Sequence, residues 1–497
     1  MKGFSIGKTA VVLAALFCCQ MDYGFCARLS LQEAIDMALS QNTELRVTQK
    51  GEESAEAAYR KAKGADGPSI KVGSSIETGK TEGSSHAESA SGRISASMPI
   101  YTGGKNQASV ESRKIGMKSA DLKTERQREN LKLSVIKAYY DAVQAQKTIA
   151  VCREAVDNYD AHYTNVNQLY EAGSKARVEV LRATVELSNA RYALISAINN
   201  YEVKLATLRN YINIDRTEPL ELTEVFSYEK FSDPLEACLS YAYDHRKDLL
   251  MDLYSLEQKE LAIKIAKAGY LPSVDLSVGT GLSGGSSASW KMRSNLSAGI
   301  SANWTIFDSG VTKASVDEAE IDRDVAQLTY DNDREKVDLG LRESYYGMRS
   351  AEKQLESTAD SVGKAEEDYF IANEKYKAGE GIMLDVLDAQ KSLSEAQLNH
   401  IMAQYDYVRY KASVENAMGI GLTEHEHLVA GQLDRSVARQ DTAAAVKDME
   451  EKIAAPARTS ASNVESKKAI AESVAVPSVS PEHETERMAK SGGGAKE

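Results

Sequence analysis

Few residues of this chain invite a chemical reading. Gly279-Thr280-Gly281-Leu282-Ser283-Gly284 spells G-x-G-x-x-G after a strand-like run, a spacing that lets backbone approach a dinucleotide pyrophosphate where a helix opens. No helix opens here, because Gly285 to Ser289 lead into a second strand-like run. Gly79-Lys80-Thr81 resembles the end of a phosphate loop, but the first glycine of that motif would fall at Ser74. Glu424-His425-Glu426-His427 alternates carboxylates and imidazoles, a donor set that metals accept. With no further ligand cluster in the sequence, it reads as a solvated loop. No Ser/His/Asp or Cys/His grouping stands out from ordinary helix-surface composition, so the expectation is a non-enzyme with no catalytic, cofactor or metal residues.

Composition limits the elements that such motifs would sit on. The 497 residues suffice for roughly three globular domains. Only 8 are proline, with none between Pro99 and Pro219 and none between Pro272 and Pro456. Because proline breaks helices, these gaps leave room for very long ones. Lys and Arg number 60 against 73 Asp and Glu, a net charge of −13 with the signs interleaved, so nucleic acid is not an expected partner. Residues 1–26 have the form of an export signal: Lys2 and Lys8, an apolar run from Ala10 to Cys19, then a polar stretch. A lipid anchor at Cys18, Cys19 or Cys26 fits poorly, because Phe17, Cys18 and Phe25 precede them where a small residue is expected. No later stretch approaches ~18 consecutive apolar residues, the length of a transmembrane helix. Cys152 and Cys238 lie in helical patterns and read as small packing residues rather than a disulfide framework.

The chain repeats itself. One gapless offset carries Tyr139-Tyr140 onto Tyr345-Tyr346, Ala172-Gly173 onto Ala378-Gly379, Val180-Leu181 onto Val386-Leu387 and Ile214 onto Ile420. At an offset two residues smaller, Leu31, Ala34, Ala38 and Pro68 fall on Leu235, Cys238, Ala242 and Pro272. Each half reads as helix, two strands, long helix, turn, helix. In the first half Leu131, Val135, Ala138, Ala142, Ala145, Ile149, Cys152 and Val156 recur at spacings of three and four, a sustained heptad seam. A helix from about Lys105 to Tyr170 would be on the order of 100 Å long. Ala172-Gly173-Ser174 supplies the reversal into a second seam through Leu187, Leu194, Ile198 and Leu205.

Strict alternation marks the strands. Ile70, Val72 and Ile76 alternate with Lys71, Gly73, Ser75 and Glu77, while Ile94, Ala96 and Met98 alternate with Arg93, Ser95 and Ser97. The second half repeats the pattern around Val274 to Val278 and Leu296 to Ile306. Runs of ~10 residues suit tilted strands that cross a bilayer, one face to lipid and the other to a polar lumen. Four strands cannot close a barrel, and open edges in lipid are costly, so other subunits must complete it. The alternative is an exported periplasmic coiled-coil scaffold without a pore, its strands forming small soluble hairpins.

From Leu31 to about Gly421 the residues resemble the TolC-like outer-membrane efflux protein family. The resemblance rests on Leu31-x-x-Ala34-x-x-x-Ala38-Leu39-x-x-Asn42, on Pro99-Ile100-Tyr101-Thr102-Gly103-Gly104 and on Ile306-Phe307-Asp308-Ser309-Gly310. It rests also on the tip motifs Tyr170 to Gly173 with Glu179-Val180-Leu181, and Tyr376 to Gly379 with Asp385 to Ala389. It implies a fold that is mainly α with a membrane β-barrel segment: a homotrimer whose twelve-stranded barrel in outer-membrane lipid continues as a periplasmic α-helical barrel. It implies a passive exit duct of a multidrug efflux or type I secretion system, opened by a periplasmic adaptor and fed by an inner-membrane transporter. The expected organisation is an export signal over 1–26 and a first repeat over 27–214, with strands about 69–78 and 92–101 and a helical hairpin about 104–213. A linker or equatorial segment follows over 215–233. The second repeat spans 234–421, with strands about 273–282 and 294–307 and a hairpin about 310–419, before a C-terminal segment with a disordered tail over 422–497.

The resemblance also assigns residues. The periplasmic gate falls on Glu179, Tyr376, Asp385 and Asp388, with a hydroxyl-to-carboxylate bond between Tyr376 and Glu179 across the closed tip and a ring of carboxylates from the two aspartates. Where the family carries an arginine this chain has Gly381, with Lys175 or Arg177 as substitutes. The adaptor contacts fall on Ala172, Gly173, Ser174, Ala378, Gly379 and Glu380.

Overall fold

The computed structural model describes residues 27–79, 87–215, 220–223, 226–285 and 291–420, together with Lys447. The export signal, Lys80, His425, His427 and nearly all of the C-terminal segment lie outside the described residues. The elements run β1 (Ala27–Leu29), α1 (Leu31–Gln41), α2 (Thr43–Ala65), β2 (Ser69–Gly79), β3 (Ala87–Tyr101), α3 (Lys105–Glu171) and α4 (Arg177–Ile212). The second half runs β4 (Leu220–Leu222), α5 (Leu235–His245), α6 (Lys247–Lys267), β5 (Ser273–Gly285), β6 (Arg293–Asn303), α7 (Val311–Lys377) and α8 (Met383–Met418). All belong to one compact unit, Met1–Thr442.

The duplication extends to backbone geometry. Both long helices have 67 residues and both return helices 36. Among the described residues, every positive φ falls in a pair related by the repeat: Gly103 with Ser309, Gly104 with Gly310, Gly173 with Gly379, and Asn213 with Gly419. Left-handed backbone is unfavourable for residues with a Cβ, so it persists only where a chain reversal requires it. The same symmetry fixes side chains, since the Tyr139 hydroxyl donates to Leu29 O (2.9 Å) and the Tyr345 hydroxyl to Asp233 O (3.2 Å). Each bond ties the start of a half to the middle of its long helix.

Pairing in the four-stranded antiparallel sheet follows the order β2-β3-β5-β6. Cross-strand register lines up the apolar residues: Ile70, Ala96, Val278 and Ala298 form one row, and Met98, Leu276 and Ile300 another. The sheet therefore has one apolar and one polar face, and Ile70, Val72, Ile76, Leu296 and Ile300 are all strongly exposed. A bulge between Pro99 and Tyr101 places Tyr101 opposite Val274, on the apolar side.

Strand ends differ from the expected ones. Strand β3 begins at Ala87, because Ala87 to Ser91 pair with β2 and Ser89 onward with β5. Strand β5 continues to Gly285 for the same reason. Strand β6 ends at Asn303 rather than at 307, because its ladder partner β5 begins at Ser273, opposite Asn303. Beyond that point Trp304 donates through Nε1 to Tyr270 O at 3.0 Å. Within the expected linker, β4 pairs in parallel with β1.

Where the helices converge, Tyr139, Tyr405, Leu45, Leu208 and Ile212 are almost fully buried. Beside this core lies an ion cluster. The Glu129 side chain, 3% exposed, accepts from Arg126 Nη1 at 2.8 Å and from Lys247 Nζ. Arg126 also donates to Asn416 O (3.1 Å) and Arg246 to Ala417 O (2.9 Å), so charges from α3 and from the junction of α5 and α6 fasten the end of α8.

Candidate functional site

The two tips are built alike. Helix α3 ends in a Schellman turn: Gly173 at φ +73° donates to Tyr170 O (2.9 Å) and Ser174 N to Leu169 O (2.8 Å). Helix α7 ends the same way, with Gly379 at φ +79° donating to Tyr376 O (3.1 Å) and Glu380 N to Lys375 O (2.9 Å). Glycine is needed because both turns pass through left-handed backbone. Ala172, Gly173, Ser174, Ala378, Gly379 and Glu380 are all exposed.

Behind the tips, Val166 of α3, Ala183 of α4, Tyr376 of α7 and Met383 and Val386 of α8 form a small buried cluster. Tyr376 is only 5% exposed. The expected bond from Tyr376 to Glu179 is not made within the chain. Lys175 takes that place instead: its Nζ lies 4.7 Å from the Tyr376 ring centre and 3.6 Å from Glu179 Oε2. An ammonium over an aromatic face and beside a carboxylate is attracted by both. The Tyr376 hydroxyl and Glu179 Oε2 are nonetheless buried without a hydrogen-bond partner. Arg177 is exposed.

Gly381 has a steric reason of its own. A Cβ there would come within 3.0 Å of Tyr376 N and 3.2 Å of the Lys375 carbonyl carbon, while Gly381 N donates to Lys375 O at 3.0 Å. The tight second turn crowds any side chain at this position, so its neighbours would have to give by a few tenths of an ångström. Asp385 and Asp388, in the first turns of α8, are exposed. One face of the helix thus presents two carboxylates to water beside the tip, where they can attract cations.

Sequence reasoning passed over His162. Its ring centre lies 5.4 Å from that of Tyr376, and its Nε2 is buried without a partner. It sits between seam positions of α3, so no periodic signal marks it. Burial holds its imidazole below the ordinary value, Lys175 adds to that and Glu179 opposes it. Helix α8 contributes the apolar Met383 and Val386 to this cluster, with Leu387 partly buried against it. A packed tip therefore keeps His162 neutral, whereas separating α3 from α7 would return the ring to water and to a pKa near ~6.5. The packed state is favoured fully above that value and loses stability as pH falls through it. Packing of the tip cluster is therefore expected to loosen between about pH 7 and pH 5, read as faster amide hydrogen exchange around His162, and His162→Phe should flatten the dependence.

Among the described residues no three His, Cys, Asp or Glu side chains come together as a metal site. No described helix is long and apolar enough to cross a membrane. The fold recurs in solved proteins. The crystal structure of the Campylobacter jejuni CmeC outer membrane channel superposes with a TM-score of 0.71 at 20% identity, over 82% of this chain and 90% of that one. The model of the outer membrane efflux protein family matches residues 34–213 and 238–420.

The chain belongs to the outer membrane efflux protein family.

Its matched segments are the two halves seen in the fold. The probable efflux pump outer membrane protein TtgC of Pseudomonas putida is 24% identical over 306 residues, which is 59% of this chain and 60% of TtgC. The outer membrane efflux protein BepC of Brucella suis is 22% identical over 404 residues, 78% of this chain and 84% of BepC. This family member is an outer-membrane protein.

Proposed function

We propose that this chain forms, as a homotrimer, the passive exit duct of a multidrug efflux or type I secretion system. In this reading a periplasmic adaptor opens the duct at its tips and an inner-membrane transporter feeds it. The observation that carries the reading is the sheet. Strands β2 and β6 are edges exposed along their whole length, and unpaired backbone cannot remain in lipid. Pairing β6 of one subunit with β2 of the next closes a twelve-stranded barrel from three copies and turns the in-register apolar face to lipid. Helices of 67 residues, on the order of 100 Å long, then reach from the membrane across the periplasm. A periplasmic scaffold would leave that apolar face uncovered.

Single-channel recording in planar bilayers tests the reading. The parent is expected to give small, cation-selective currents blocked by divalent cations on the tip side, because six exposed carboxylates would face one axis. Asp385→Ala with Asp388→Ala should abolish the block. Equal block in both proteins would remove these aspartates as the gate, and no current from well-folded oligomers would favour the scaffold.

A further inference from the structure

The polar face of the sheet is not uniform. Cross-strand register places Lys71 in a row with Ser95, Gly279 and Ser297. Arg93 lies in the next row with Gly73, Gly281 and Asn295, and Arg293 in the row after that with Ser75, Ser91 and Ser283. Alternate residues of a strand point to the same side, so three cations share the polar face in three successive rows, roughly 7 Å apart. Everything else in those rows is Gly, Ser or Asn. All three cations are exposed, and among the described residues none of them is in an ion pair. Acids on the same face are sparse. Glu77 lies one row beyond Arg293, and Asp275 two rows beyond Lys71.

From this juxtaposition we propose that Lys71, Arg93 and Arg293 form a basic belt inside the barrel that favours anionic solutes, in series with the acidic tips. The inference rests on the duct reading, which turns the polar face inward. Three copies would place nine cations against three nearby Glu77 carboxylates within a narrow bore. A wall of glycine and serine leaves the long basic side chains free to reach into the passage, and rings of one charge sign in a confined, water-filled pore set its ion selectivity. Cargo carrying carboxylate, phosphate or sulfonate groups would be drawn through the membrane section. Cations would be favoured only at the periplasmic end.

The test is the K+ to Cl− permeability ratio, read from reversal potentials under a KCl gradient with the full-length protein in planar bilayers. Asp385→Asn with Asp388→Asn first removes the competing acidic tip. In that background the ratio is expected below one with the belt intact, and at least about twofold higher in K71S/R93S/R293S. Arg93→Gln alone, which keeps side-chain length, should shift the ratio in the same direction by a smaller amount, and serves if the triple variant fails to assemble. An unchanged ratio in conducting channels overturns the belt and leaves the duct standing. Folded trimers that never conduct overturn both.

Discussion

Replacing Glu129 by alanine is expected to destabilise the helical body by about 3–5 kcal/mol, the usual cost of removing one partner from a buried ion cluster. Glu129 is 3% exposed and faces Arg126, 13% exposed, and Lys247, 14% exposed. Its removal leaves two desolvated cations with Glu125, 3.5 Å from Lys247, as the nearer remaining counter-charge. The damage reaches α8 through the Arg126 bond to Asn416 O. The denaturation midpoint of the purified protein, followed by far-UV circular dichroism, measures the loss. Removing Lys50, whose 2.7 Å pair with Glu53 is 74% and 65% exposed, should leave that midpoint unchanged, because exposed pairs contribute little. A midpoint in the Glu129 variant equal to that of the parent would show that water reaches the cluster.

Glu129 also marks a limit of what a sequence reveals. It lies in the polar run Arg126-Gln127-Arg128-Glu129-Asn130, which by composition belongs to a solvated helix face. Lys247, from the other half of the chain, is what makes the site an interior one. The two halves themselves were legible because identical residues recur at one offset, and alternation of period two revealed the four strands of the antiparallel sheet. Strands β1 and β4 have three residues each, too few to carry a period. The alternation through Trp304 to Phe307 outruns its pairing partner, so pattern alone set the end of β6 too late.

At the tips the resemblance points to a bond between Tyr376 and Glu179 that is not made within the chain. Tyr376 and Glu179 do come close to one another, but Lys175 stands between them. The sequence marked Lys175 only as a substitute for the missing arginine, and because it lies in the turn before α4 no helical period could place it against both side chains. Gly381 shows the converse: the absence of an arginine reads as a lost lock until the turn geometry shows how closely a Cβ there would crowd Tyr376 N and Lys375.

The tip glycines carry the largest functional prediction. Replacing Gly173 or Gly379 by leucine or tryptophan is expected to abolish export while trimers still assemble. A Cβ at either position meets nothing within 4 Å, so the direct cost is confined to the left-handed backbone, roughly 1–2 kcal/mol. A loss of that size at an exposed turn leaves the remote sheet and core intact. The added side chain, however, projects from the apex where an adaptor would seat, and a close-packed contact tolerates no extra volume. Asparagine, which adopts this backbone most readily among the non-glycine residues, separates the two effects. Gly379→Asn should retain the turn and much of the export activity, and Gly379→Trp should lose it. Cell susceptibility to exported compounds, read beside native-gel trimer yield, decides the matter. Loss of trimer in Gly379→Trp would place these turns in assembly rather than docking, and full export by Gly379→Trp would remove them from the adaptor surface altogether.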